Sequence, residues 1–271
     1  MIIDGNKING EIKENLRERA KGLSLAIIWV GDDSVSAKYV EKKKLFGEDI
    51  GVHVEIFKYS AGIFTSELIE EIKSISKDHS GIIVQLPLPK QIDSAMALSM
   101  IPADKDVDLL SDWAYQKFVE GKSPILPPVV ASIKEIFERN GVNDLHGLHA
   151  VIVGRGKLVG KPAAVWLANQ GASVDLLGRD TIDLSPFTKK ADIIIAGAGV
   201  PNLIKLDMVC DGVIVIDAAT SDASGKIVGD VDPAVADKAR IFSPVPGVVG
   251  PITVAMLFKN LVTLARPGTK W

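Results

Sequence analysis

Short apolar runs alternate along this chain with longer charged segments of helical period, the pattern of a parallel sheet covered on both faces. "SLAIIWVG" (24–31), "VHVEIFKY" (52–59) and "GIIVQLPLP" (81–89) predict a first set of strands. The segments at 34–49 and 65–77 predict the helices between them. Thr65 or Ser66 is the expected cap of the second helix, with Glu67, Glu70 and Glu71 placed favourably in its first turns.

A second set follows residue 145: "HAVIVG" (149–154), "SVDLLG" (173–178), "DIIIAG" (192–197), "VIVIDAA" (213–219) and "RIFSPV" (240–245). "KPAAVWLANQGA" between the first two completes a βαβ unit. Residues 128–140 read as a helix begun by proline and closed by Gly141, carrying the chain between domains. The last apolar stretch, 250–268, has helical spacing and is expected to return to the first domain.

Composition narrows the function classes. The 271 residues carry a formal net charge of −3, with 47% hydrophobic and 24% charged residues, so no nucleic-acid or anionic-membrane footprint is expected. The N-terminal stretch turns polar after three residues, unlike a signal peptide, and no apolar run approaches the roughly 20 residues that cross a bilayer. A cytoplasmic protein acting on a small molecule is the expectation. The single cysteine, Cys210, reads as a buried structural thiol. Four scattered histidines predict no metal site.

"VIVGRGKLVGKP" (151–162) sets Gly154, Gly156 and Gly160 at a strand-to-helix junction. Glycines there permit a tight turn and let a pyrophosphate approach N–H groups at the positive end of the helix. The spacing is one residue longer than the usual dinucleotide fingerprint, and an ordinary tight turn is the competing reading. The next strand ends in Arg179, which suits a 2'-phosphate and so points to NADP; Asp175 and Asp180 are the acids that NAD would use.

In "SAKYVEKKKLFGEDIG" (36–51), a helix brings Tyr39 beside both Lys42 and Lys43, and this spacing does not choose between them. Taken alone, the lysine run reads as a solvated face. Gln85 emerges at the end of a strand flanked by prolines, where open parallel sheets place ligands. "PADKDVDLL" (102–110) adds Asp104, Asp106 and Asp108. A glutamine amide and a carboxylate beside a lysine can hold it and tune its proton affinity. "SPVPGVVGPIT" (243–253) is too rich in proline and glycine for regular structure and reads as a rigid loop carrying ligand contacts or, equally, as an interdomain hinge.

In this order, "YVEKK", "VQLPLP", "KDVD", "VGRGKLVGKP", "ADIIIAGAG", "GDVD" and "SPVPGVVGPIT" resemble the bifunctional methylenetetrahydrofolate dehydrogenase/cyclohydrolase family over nearly the whole chain. The resemblance implies an α/β architecture. An N-terminal parallel-sheet domain (1–125, completed by a C-terminal helix, 252–271) accompanies a Rossmann dinucleotide-binding domain (126–251), with a folate cleft between them. It selects Lys43, Gln85 and Tyr39 as catalytic, and assigns Tyr39, Asp108, Pro246, Gly247, Gly250 and Pro251 to folate. It assigns Gly154, Arg155, Gly156, Val159, Gly160, Lys161, Pro162, Arg179, Ala198, Gly199, Ala218 and Thr253 to NADP. It further implies a homodimer that oxidises 5,10-methylenetetrahydrofolate and hydrolyses the methenyl product to 10-formyltetrahydrofolate.

The chain departs from the family pattern at several points. Leu109 replaces a glycine after "KDVD", "ILPP" (125–128) replaces "PCTP", and Gly156 replaces a serine. "DAAT" (217–220) stands for "DVGI", and Val248 replaces the second glycine of "PGGVG". Most of these fall in the cofactor half. Three other readings compete: a relative keeping one activity or direction, a non-catalytic dinucleotide-binding regulator, and a two-domain amino-acid dehydrogenase.

Overall fold

The computed structural model describes residues 1–223 and 226–269. Two compact units emerge: Gly10–Pro128 with Val254–Trp271, and Met1–Asn9 with Val129–Thr253. Helix α1 (Gly5–Ala20) passes from the second into the first and buries Ile8, Ile12, Leu16 and Ala20 at steps of four.

In the first unit, β1 (Ser24–Val30), β2 (His53–Tyr59) and β3 (Gly81–Val84) form a parallel sheet of order β2-β1-β3. Helix α2 (Ser34–Asp49) follows β1 and is capped by Asp33, whose side chain accepts from Ser36 N at 2.7 Å. Helix α3 (Thr65–Asp78) is not capped as the sequence suggested. Neither Thr65 nor Ser66 is its cap; the cap position is Phe64, whose N–H is taken by the Glu67 side chain at 2.9 Å. The Thr65 hydroxyl instead accepts from Asp93 N, ahead of α4 (Ser94–Ser99).

One face of this sheet, with Ala26, Ile28, Val30, Ile82 and Val84, packs on Leu68, Ile72 and Ile75 of α3 and on α4. The other face meets the last helix, α9 (Val249–Ala265), through Leu25 and Leu261 around Gly81. After β3 the chain returns beside it: Ile82 N donates to Lys105 O at 2.8 Å, and Asp106 bridges Ile82 in parallel. It then enters α5 (Asp112–Val119).

The second unit begins with α6 (Pro128–Arg139), started by its proline, and builds β4 (His149–Val153), α7 (Gly160–Asn169), β5 (Ser173–Leu177), α8 (Ser185–Thr188), β6 (Ile193–Ala196) and β7 (Ile214–Asp217). An antiparallel pair, β8 (Ser221–Ala223) with β9 (Lys226–Val228), precedes β10 (Ile241–Ser243). The five-stranded sheet is parallel, in the order β10-β7-β6-β4-β5. Ile2 bridges Phe242, so the first residues extend this sheet beyond β10. Cys210 is half-buried rather than buried, its thiol on Ala191 O.

Helix α9 is Val249–Ala265, so 249–253 is helical and only 244–248 of the expected rigid loop is irregular. Pro251 sits in the first turn, where a missing N–H costs no helical bond. The helix stops short of Pro267 and Gly268; Lys270 and Trp271, inside the expected terminal helix, lie outside the described residues. From Val254 onward it belongs to the first unit. There Phe258 stacks on Phe46 at 5.2 Å, against Gly47, where an added Cβ would lie 2.8 Å from its ring. Phe258 is 0% exposed. Phe258→Ala is expected to cost about 3–5 kcal/mol in urea unfolding of this unit, through lost burial plus the cavity left behind.

Candidate functional site

Each sheet reverses its winding once, and each set of candidate residues sits at that reversal. In open parallel sheets the carboxyl ends of the strands flanking such a point form a crevice. In the first unit these strands are β1 and β3; in the second they are β4 and β6.

At the first, Gln85 directly follows β3, its N–H on Ile28 O at 2.8 Å, and the next peptide, Leu86–Pro87, is cis. Its side chain is held at both ends. Gln85 Nε2 donates to Leu86 O at 2.8 Å, and Oε1 accepts from Lys43 Nζ at 3.0 Å. Ser36 of α2 also donates to Leu86 O, at 3.4 Å.

Helix α2 separates its lysines by depth. Its inner stripe runs Ser36, Val40, Lys43, Gly47 and Ile50, so Lys43 is 9% exposed while Lys42 lies outside with its ammonium over the Tyr39 ring at 5.7 Å. Phasing the helix on Val40, Gly47 and Ile50, rather than on Tyr39, selects Lys43 from sequence. Burial pushes the Lys43 amine down from the usual lysine range, and the Asp108 charge opposes that shift. Asp108 is correspondingly pushed up by burial and drawn down by Lys43. Both groups are moved toward their neutral forms.

The three acids of the 102–110 loop have separate places. Asp104 is exposed. Asp106 is buried and accepts from Leu110 N at 3.1 Å, Ser111 N at 2.8 Å and the Ser111 hydroxyl at 2.6 Å. Asp108 is half-buried and is the acid whose charge reaches Lys43. Leu109 takes φ 50°, so a leucine carries here the left-handed conformation that glycine adopts freely.

At the second reversal, the three glycines of the β4–α7 turn differ. Gly154 has φ 114°, and a Cβ on it would lie 2.4 Å from Gly197 O. A Cβ on Gly160 would fall 1.7 Å from Gly154 O. Gly156 faces open space. Two glycines are therefore demanded by the turn, and the third leaves room above it. Val159 precedes α7 with no side-chain cap; since Pro162 has no N–H and those of Lys161 and Ala163 are on Gly156 O and Val159 O, the first-turn N–H left to meet an anion is that of Gly160. Gly160 and Pro162 are buried in that turn, and Lys161 is exposed, its N–H on Gly156 O. This turn fits a dinucleotide's phosphates.

Around it, Arg155 Nη1 grips both Asp180 oxygens at 2.8 and 2.9 Å while Nε donates to Leu176 O, so Asp180 is engaged. Asp175 lies mid-strand against His149 Nε2 at 2.9 Å. Arg179 is exposed beyond the end of β5. The N–H groups of Ala198 and Gly199 are taken by Asp230, at 2.6 and 3.0 Å, and that of Val200 at 2.7 Å. Asp230 thus holds the loop after β6, a role that sequence spacing does not signal. Ala218 donates to Ala196 O, and the Thr253 hydroxyl donates to Val249 O at 2.8 Å. Pro246, behind a cis peptide, and Gly247, at φ 117°, form the irregular turn before α9, while Gly250 and Pro251 are in its first turn. Val248 is buried without needing glycine's freedom.

Residues 3–108 match the description "Tetrahydrofolate dehydrogenase/cyclohydrolase, catalytic domain", and residues 127–268 match its NAD(P)-binding domain. The chain belongs to the tetrahydrofolate dehydrogenase/cyclohydrolase family. It is 41% identical to "Bifunctional protein FolD" of Nautilia profundicola, covering 98% of this chain and 97% of that one. A crystal structure of the bifunctional FolD enzyme from Campylobacter jejuni is 37% identical over 98% of both chains, with a TM-score of 0.94. That of the Trypanosoma brucei enzyme, complexed with NADP and an inhibitor, is 30% identical over 98% and 97%, with a TM-score of 0.93. No helix among the described residues is long and apolar enough to cross a membrane.

Asp217, at the end of β7, accepts from Ala219 N at 3.1 Å and Val231 N at 2.9 Å. Burial nonetheless pushes its carboxyl up to about 6. Between about pH 4 and about pH 6 the unfolded chain has released this proton and the folded chain keeps it. The group's contribution to stability is therefore complete below the unfolded value and is lost as pH rises through the folded one. Asp217→Asn removes that loss. The variant should gain stability relative to wild type by up to about 3 kcal/mol between pH 4 and pH 7 in urea unfolding. A pH-independent difference would show that Asp217 does not titrate in this window.

Proposed function

We propose that this enzyme oxidises 5,10-methylenetetrahydrofolate with NADP and hydrolyses the resulting methenyl cation to 10-formyltetrahydrofolate. The observation that carries this reading is the buried Lys43–Gln85 pair at a strand end, with Asp108 as the charge acting on the lysine.

Oxidation removes a hydride from the methylene carbon of the folate; when bound, NADP supplies its acceptor. Gly154, Gly160, Arg155 and the first turn of α7 would hold the cofactor's phosphates. Hydrolysis adds water to the one-carbon bridge, releases a proton and breaks one carbon–nitrogen bond of the imidazolinium ring. Lys43 takes the water's proton. It must be neutral to do so, and burial favours that form; a cationic substrate beside it favours it further. Gln85 fixes the amine by accepting from it, and Asp108 limits how far its proton affinity falls. Tyr39, on the outer edge of the same helix face, lines the pterin. The folate assignments of Pro246, Gly247, Gly250 and Pro251 belong to the same reading, as do a homodimeric state and a cytoplasmic location.

Lys43→Met should lower methenyltetrahydrofolate hydrolysis by roughly 10²–10⁴-fold, read from the decay of methenyl absorbance, with NADP binding unchanged. Undiminished hydrolysis would reject the assigned role. Preference for NADP over NAD rests on Arg179, which is exposed just past the end of β5; an arginine near that strand end suits a 2'-phosphate in dinucleotide-binding folds. Arg179→Ala should raise KM for NADP about 10- to 100-fold, the loss of one charge-assisted bond, and leave KM for NAD unchanged. An equal effect on both cofactors would mean that the arginine does not read the phosphate.

A further inference from the structure

The loop bearing Asp108 is braced on several sides. On one flank Ile82 of β3 pairs with Lys105 and Asp106. Ahead, Asp106 gathers Leu110 and Ser111 into a closed turn. Behind stands α9, brought close because β3 starts with glycine: a Cβ on Gly81 would lie 2.7 Å from Val107 and 2.6 Å from Leu261. From α9, Asn260 Nδ2 donates to Val107 O at 2.9 Å and to Leu126 O at 2.8 Å. Asn260 is 5% exposed, so both carbonyls would lose their partner at depth if that amide were removed. The acceptor at Val107 belongs to the peptide leading into Asp108.

We propose that Asn260 is a positioning residue for Asp108: by holding the Val107 carbonyl, the last helix sets where the folate-facing carboxylate stands relative to Lys43. The inference rests on the reading of Asp108 as a folate ligand. Leu109 supports it independently. A buried leucine at positive φ persists only where the surroundings over-determine the backbone, and Asp106, Ile82 and Asn260 are those surroundings. The groups bearing on the Lys43 amine are Gln85, directly after β3, and Asp108 from the loop, while on its own helix Lys42 lies outside over the Tyr39 ring.

The test uses the full chain carrying Asn260→Ala, with Asp108→Ala in parallel. Once Val107 is released, KM for methylenetetrahydrofolate should rise on the order of tenfold while KM for NADP stays within about twofold of wild type. The acid limb of the hydrolysis pH profile should move to lower pH, because a displaced Asp108 no longer supports the protonated lysine. General destabilisation moves neither the ratio of the two KM values nor the profile. A folded Asn260→Ala variant with wild-type folate KM and profile overturns the inference. If Asp108→Ala itself leaves folate binding intact, the reading beneath it fails too.

Should the alanine variant not fold, Asn260→Asp decides. Ionised, it donates to neither carbonyl; protonated, it donates to one. Buried against two carbonyls, the introduced carboxyl is pushed well above the ordinary value of about 3.9, so folate binding should tighten as pH falls from about 8 to about 5 by more than the wild type's own change, and an identical pH dependence overturns the proposal.

Discussion

A lysine nitrogen placed under a helix, against a sheet, is the constraint around which the first unit is arranged. An isolated ammonium at that depth is expensive, and proteins respond by neutralising it, pairing it or bonding it. All three responses meet at Lys43: burial shifts it toward the amine, Asp108 pulls the other way, and Gln85 accepts from it. Removing the glutamine or the aspartate would not leave a spare lysine; it would change which protonation state the fold tolerates. The balance between burial and one carboxylate is therefore a setting of chemistry as much as of stability.

Both units reach their sites by the same topological route. A strand, a helix and a second strand wind one way, and the third strand is laid on the other side of the first. The chain ends emerging between first and third strands then have no neighbour to cover them. In one unit that opening receives Gln85; in the other it receives Gly154 and, facing it, Gly197. What differs is the covering chemistry. The first opening is lined by titratable side chains whose proton affinity burial shifts, and the second by backbone that approaches closely because two glycines have no Cβ.

Much of this was legible in the order of residues. The eight strands of the two sheets were readable as short apolar runs, since the central parallel strands are buried and carry no alternation, while the edge strand β2 keeps its apolar residues between exposed His53, Glu55 and Lys58. Helix α1 is less legible: Ile8, Ile12, Leu16 and Ala20 mark its buried stripe, but Gly5, Asn6, Asn9 and Gly10 make its first half a poor helix by local propensity. The cap of α3 was misplaced because Glu67 reaches back to Phe64 N while Thr65 turns to another segment, a tertiary choice. Lys43 could be chosen over Lys42 by phasing the helix on its apolar residues. The three acids of the 102–110 loop could not be sorted locally: Asp106 is set apart by meeting Leu110, Ser111 and the edge of β3, and Asn260 acts from more than a hundred residues away in sequence.

Leu109 shows how such a loop stays affordable. Left-handed backbone costs a residue with a Cβ roughly 1–2 kcal/mol, whereas burying a leucine side chain recovers about 1.5–3 kcal/mol. At 3% exposure Leu109 gains nearly the whole of that burial, so the two terms roughly cancel. A glycine at this position would avoid the strain and forfeit the contact, arriving at much the same stability with a looser backbone. The difference lies in rigidity rather than in net free energy, and it falls on the residue directly after Asp108, where a small displacement of the carboxylate alters the proton affinity of Lys43.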